Sequence, residues 1–184
     1  IWAGGGEFST KGVFFNPNIP TEENFCMPHN KKINGRVVAT KPLNYGGKLI
    51  EDFSLTFKDG KVVEYDAKKE KEALKSLIEF DKGSSSLGEV ALISHDSPIS
   101  NMNILFYNTL FDENASCHLA LGASYTTTNL KDADKYTEEE LDALGSNQSH
   151  THVDFMFGSS DMEVTGLTHD GKVVQIFKNG NFVF

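Results

Sequence analysis

The sequence predicts an α+β fold: a mixed, largely antiparallel sheet with a C-terminal β-meander and two or three helices. Three observations predict it. Dipeptides of hairpin type, Asp59-Gly60, Asp170-Gly171 and Asn179-Gly180, each separate segments rich in Val, Ile, Leu and Phe. Helical signatures are confined to the middle of the chain. Strand-like segments dominate both ends.

Taken in order, Leu49–Phe57 pairs with Lys61–Tyr65 across the first hairpin dipeptide, because Asp and Gly accept the positive φ of a tight turn. Asp66 is placed to cap a helix in which Ala73, Leu74, Leu77 and Ile78 share one face among lysines and glutamates. The run Leu87-Gly88-Glu89-Val90-Ala91-Leu92 reads as a buried strand after a flexible Lys82-Gly83-Ser84-Ser85-Ser86 stretch. A weaker helix covers Asn103–Leu110. Thr137-Glu138-Glu139-Glu140 is a capping box that leads into Leu141 and Leu144. Met162–Thr168, Lys172–Phe177 and Asn181–Phe184 then form the meander. No internal repeat or low-complexity tract interrupts this order.

A chain of 184 residues suits one domain and can bury a core of useful size. Apolar residues at 39% and charged ones at 23% are globular values, and no apolar run approaches the ~20 residues of a spanning helix. The charge of −9, from 17 Lys+Arg against 26 Asp+Glu, would repel a phosphate backbone, and Lys31-Lys32 near Arg36 is too sparse to offset it. Neither nucleic acid nor membrane is therefore an expected partner. Cys26 and Cys117, with no C-x-x-C, read as reduced thiols of a cytoplasmic protein. Ile1-Trp2-Ala3-Gly4-Gly5-Gly6 lacks the pattern of a signal peptide, and the absence of an initial Met suggests a piece of a longer chain.

Chemistry concentrates around His152-Val153-Asp154. On a strand His152 and Asp154 share a face, while Thr151, Val153, Phe155 and Phe157 take the other, so a rigid support offers two metal ligands. Alternation alone also accounts for the tripeptide as a solvated strand face. His118 enters the apolar run Leu119-Ala120-Leu121-Gly122-Ala123, with Glu113 five residues earlier. Glu89 stands directly after Gly88 in an apolar strand, where a carboxylate is costly to bury without cations or donors. It is either an exposed strand end or a ligand. The adjacent charges of Glu22-Glu23 are tolerated at a surface and favourable beside a metal. Oxygen and imidazole donors of this kind suit divalent ions, and two dications would neutralise four carboxylates.

These segments together resemble the C-terminal, metal-binding half of the M29 metallo-aminopeptidases. The resemblance rests on seven blocks in the family's order: Pro20–Glu23, Lys41–Gly47, Leu87–Leu92, Ser97–Ser100, Asn108–Ser116, His118–Gly122 and His152–Met156. It implies Glu23, Glu89, Glu113, His118, His152 and Asp154 as ligands of two divalent ions (Zn, Co, Mn or Mg), and Tyr125 as the catalytic tyrosine. It also implies attack of an activated water on the carbonyl after the first residue of a peptide with a free N-terminus. Glu89 or Glu113 would bridge the ions, Glu89 would carry the proton to the leaving amine, and Tyr125 would donate to the oxyanion. Glu22 remains a neighbour and His150 lies beside the motif without counting as a ligand.

Two departures qualify the match: Asn24-Phe25-Cys26 replaces the family's usual β-branched residue and Thr, and family members are considerably longer. The expectation is one catalytic, metal-binding domain over residues 1–184, the C-terminal part of a longer chain that forms a homodimer when whole. A different reading is a folded metal-binding or dimerisation domain that is inactive without the N-terminal half. Two other metal chemistries fit less well. An iron oxygenase using H-x-D would need a downstream His and an Arg, and only His169 follows, without an Arg. A cupin-like site would pair His150 with His152 around a single ion.

Overall fold

The computed structural model describes all residues except Ile1, Gly5, Pro17, Asn18 and Pro20, so Pro20 of the first motif block and Ile1 of the N-terminal run lie outside the described residues. A short hairpin of β1 (Glu7–Phe8) and β2 (Phe14–Phe15) opens the chain. Then come β3 (Asn24–Cys26), β4 (Gly35–Val38), β5 (Leu43–Tyr45) and the long hairpin β6 (Lys48–Lys58) with β7 (Lys61–Lys69). Its turn holds Asp59 and Gly60 at positive φ, as that dipeptide requires.

Helix α1 (Lys71–Ile78) follows β7 directly. Asp66 does not cap it. Pairing with β6 carries β7 on through Asp66 to Lys69, the reversal falls on Glu70 at φ 57°, and Asp66 instead meets Lys71 at 2.7 Å. The expected apolar face is present, with Ala73, Leu74, Leu77 and Ile78 buried.

The central segment carries β8 (Leu87–Leu92), α2 (Pro98–Met102), α3 (Thr109–Asp112), β9 (His118–Gly122), α4 (Thr126–Asn129), α5 (Glu138–Ala143) and β10 (His152–Met156). The helix expected over Asn103–Leu110 is displaced to either side. Asn103 and Tyr107 take left-handed backbone, and the Asp112 carboxylate accepts the Phe106 and Asn108 amides, which ties those residues into a loop. The capping box at Thr137 forms with both of its hydrogen bonds to Glu140. The meander forms as β11 (Val164–Leu167), β12 (Val173–Lys178) and β13 (Asn181–Phe182).

Two sheets matter for the site. An antiparallel sheet in the order β10-β9-β8-β3 turns Leu87, Val90, Leu119, Leu121, Val153 and Phe155 onto a core completed by Phe53 and Leu55 of β6 and Leu74 and Leu77 of α1. The rings of Phe53 and Phe155 lie 5.6 Å apart there. The meander closes a smaller core of Leu92, Cys117 and Phe177. Both cysteines are free thiols, and among the described residues no helix is long and apolar enough to cross a membrane.

The Ser-rich stretch before β8 is not the flexible segment its composition predicts. The Asp81 carboxylate accepts hydrogen bonds from the Gly83 and Ser84 amides, the Ser149 hydroxyl and the His150 amide, and Ser84 is buried. One acidic side chain thus pins the approach to β8 against the approach to β10.

Candidate metal centre

The sheet's other face carries the ionisable residues. In register, Glu89 lies opposite Ala120 and Ala120 opposite Asp154, so the two carboxylates flank a small residue that leaves room between them. A bulge makes this compatible with the core. Strict alternation would put Leu87 and Glu89 on one face, but Gly88 is the extra residue between the Leu87–Leu121 and Glu89–Ala120 pairs. Leu87 therefore reaches the core while Glu89 turns to the site. Glu23 arrives from the loop that enters β3, and Glu113 from the turn after α3.

Six side chains meet: Glu23, Glu89 and His118; Glu89, His152 and Asp154; and Glu113, His118 and Asp154, each trio with ligand atoms within 4.8 Å of one another. His118 Nε2 lies 3.0 Å from Glu23 and 3.3 Å from Glu89, and His152 Nε2 lies 3.3 Å from Asp154 and 3.7 Å from Glu89. Glu89, at 4% exposure, is not a strand end in solvent. Glu22 stays outside these trios and spends its amide on the Asn114 side chain; His150 also stays outside. The cupin-like pairing of His150 with His152 is therefore not formed among the described residues.

Both imidazoles are oriented from behind. His118 Nδ1 meets the Ser116 carbonyl at 3.1 Å and His152 Nδ1 meets the Ala123 carbonyl at 2.7 Å. A carbonyl only accepts, so each Nδ1 carries the proton and each Nε2 is presented forward, the arrangement of a metal-ligating histidine. His118 Nε2 is fully enclosed between the Glu23 and Glu89 carboxylates, where a cation would be shared by all three. The donor set of carboxylate oxygen and imidazole nitrogen fits borderline or hard dications.

The electrostatics agree. Burial favours the neutral form of His152, yet Asp154, the Ala123 carbonyl and Glu89 together push its pKa up to about 9. His118 is likewise raised well above its ordinary value, against burial, by Glu23 and Glu89. Burial raises Glu89, with Asp154 adding to it, while Asp154 itself is held low because His152, His118 and Glu113 outweigh its burial. Without cations the cluster holds protons where it would hold metal, so loading must release them.

A cleft of about 540 Å³ opens over the cluster, with Phe25, Tyr45, Leu110, Tyr125 and Val153 among its walls. Tyr125 is half exposed; its ring packs at a tilt against His152 at 4.5 Å and meets Phe25 edge-on at 6.2 Å. Burial, then Asp154, Glu89, Glu113 and Glu23, raise its hydroxyl to about 12, so it remains a proton donor at neutral pH. The sequence did not disclose the two orienting carbonyls, which carry no side-chain signal. Gly88 inside an apolar strand was the available sign of the bulge.

An antiparallel sheet that aims a buried carboxylate and histidine cluster into a cleft forms a candidate centre for divalent cations. The chain belongs to the family described as thermophilic metalloprotease (M29), whose model matches residues 1–182. It is 55% identical over its whole length to Aminopeptidase 2 of Geobacillus stearothermophilus and 53% identical to Aminopeptidase AmpS of Bacillus subtilis. The solved structure of AmpT from Thermus thermophilus, 41% identical, superposes on all of the chain with a TM-score of 0.92. The chain spans 44% and 45% of the two curated relatives and 45% of the solved chain.

Proposed function

We propose that this chain is the metal-bearing part of an aminopeptidase that removes single residues from peptides with a free N-terminus. The observation that carries this reading is the buried set of six donors, with both imidazoles held from behind by backbone carbonyls. Glu23, Glu89 and His118 would hold one dication and Glu89, His152 and Asp154 a second, with Glu113 completing the shell beside Asp154 and His118. Bound there, Zn, Co, Mn or Mg would supply Lewis acidity, lowering the pKa of water and polarising the scissile carbonyl.

The chain's own groups do the rest. The acidic cleft draws in the substrate's ammonium group, and Phe25, Tyr45 and Leu110 exclude water around the first side chain. Tyr125, a donor at neutral pH, stabilises the oxyanion as it develops. The proton released by the attacking water must reach the leaving amine, and Glu89 would carry it. The protein of which this chain is part acts in the cytoplasm as a homodimer.

A second reading follows from the chain's span of less than half of its relatives. On that reading it folds and binds metal but turns over only with the remainder present. Hydrolysis of aminoacyl amides by this chain, assayed beside a chain of the relatives' length after loading with Co²⁺, separates the two. Failure of Glu89→Gln to reduce turnover in the longer chain would sink both.

A further inference from the structure

His152 takes its orientation from the Ala123 carbonyl, so the question is what fixes that carbonyl at the mouth of the β9–β10 pair. Ala123 itself contributes only its backbone: its amide donates to the Thr151 carbonyl at 2.7 Å. The residues on either side of it are held by Asn147. The Asn147 side-chain amide donates to the Gly122 carbonyl at 2.7 Å and to the Gly83 carbonyl at 2.8 Å. Its backbone carbonyl accepts from the Ser124 amide at 2.9 Å, and its own amide donates to the Ser124 hydroxyl at 3.0 Å. Gly122 adopts φ 110°, a conformation that any other residue would strain, and the Ser124 amide that Asn147 holds shares its peptide with the Ala123 carbonyl. Asn147 is buried, does not line the cleft and belongs to none of the donor trios.

We propose that Asn147 is a positioning residue for His152: by gripping Gly122 and Ser124 it aims the Ala123 carbonyl that sets the imidazole. This rests on the reading of His152 as a metal ligand. The bonds of Asn147 to Ser124 are backbone bonds that any residue could make, so the side-chain amide is the part that a substitution changes. A carboxylate of the same shape cannot donate to Gly122 and Gly83, and would set its oxygens against two carbonyls. Loss of such outer support costs about 10–100-fold in metal affinity in other metal sites.

The test compares Asn147→Asp with the parent 184-residue chain by two measurements. The first is solvent exchange of the His152 Nδ1–H, read by NMR on metal-free ¹⁵N-labelled protein and assigned by its absence in His152→Ala. The second is Co²⁺ binding followed by equilibrium dialysis. The expected result is faster exchange of that proton, one Co²⁺ equivalent weakened about 10–100-fold and the other retained. Exchange and binding both unchanged would overturn the proposal, and so would faster exchange with unchanged Co²⁺ affinity. If His152→Ala binds Co²⁺ as the parent does, the ligand reading fails, whereas the exchange measurement still decides whether Asn147 orients the ring. Should Asn147→Asp not fold, Asn147→Ser removes the same two side-chain bonds without adding a charge; it is expected to shift both readouts in the same direction, and no shift in either overturns the proposal.

Discussion

Gly88 faces the carbonyl of Ala123 so closely that a Cβ at position 88 would lie 2.1 Å from that oxygen. The same oxygen holds His152 Nδ1, and the next residue after Gly88 is Glu89, which belongs to two of the three donor trios. The bulge that turns Glu89 toward the cluster and the carbonyl that orients His152 thus share one close packing. Only a residue without a side chain permits it.

Gly88→Ala is accordingly expected to damage both arms. The atoms it would meet are backbone, the Ala123 carbonyl and the Gly122 carbonyl, so relief requires the strands to part and not a side chain to rotate. Overpacking of this kind costs about 1–3 kcal/mol. Chemical unfolding should show that loss, and Co²⁺ binding should weaken at the site sharing Glu89 and His152. A variant with parental stability and metal affinity would show that the bulge does not govern the cluster.

How much of this was legible in the sequence differs from residue to residue. The pairing of His152 with Asp154 on one face, and of Val153 with Phe155 on the core side, follows from strand periodicity and is what forms. The hairpins at Asp59-Gly60 and Asn179-Gly180 were readable for the same local reason. Glu89 was ambiguous because alternation cannot predict a bulge, and the bulge decides which face it takes. Glu23 and Glu113 come to the site from a loop and a turn, where no period exists to read. The error at Asp66 arose because tertiary pairing of β7 with β6 overrode a local capping signal, and the error at 103–108 arose because Asp112 captures two amides that a helix would have used.

Asp81 offers a test by pH. Its carboxylate is held below its ordinary pKa: partial burial works the other way, but the His150 amide, the Ser149 hydroxyl and the Gly83 and Ser84 amides prevail. A depressed folded-state pKa means that the contribution to stability is complete above the unfolded value near 4 and disappears as pH falls through the lower folded value. Asp81→Asn should therefore destabilise the chain by about 1–3 kcal/mol at pH 7, because an amide cannot accept all four bonds. The difference between variant and parent should shrink in urea titrations repeated at progressively lower pH below 4. A gap that stays constant with pH would show that the carboxylate's charge is not what holds the loop.

Removal of divalent ions should lower stability if the cluster is a metal centre, since its four carboxylates are gathered only in the folded chain. At a free dication concentration 100-fold above Kd, linkage gives about 2.7 kcal/mol for each ion bound, or roughly 5–10 °C per ion in the melting midpoint of a chain this long. Thermal melts with added Co²⁺ or Zn²⁺ against EDTA read this directly. The shift should shrink by roughly one ion's share in His118→Ala, which takes away the buried Nε2 but leaves Glu89, His152 and Asp154 in place. An equal shift in that variant would place the stabilising ion somewhere other than this centre.

Tyr125 separates catalysis from metal binding. Its ring packs at a tilt against His152, so the phenyl group of Tyr125→Phe preserves the contact at 4.5 Å and removes only the hydroxyl. If the hydroxyl donates to the developing oxyanion, turnover in an active preparation should fall about 10²–10³-fold, with KM and the equivalents of bound metal near those of the parent. Tyr125→Ala should behave differently, losing metal as well, since the ring that confines His152 is gone. Loss of metal already in Tyr125→Phe would instead assign the hydroxyl to the support of the site and leave the oxyanion without this donor.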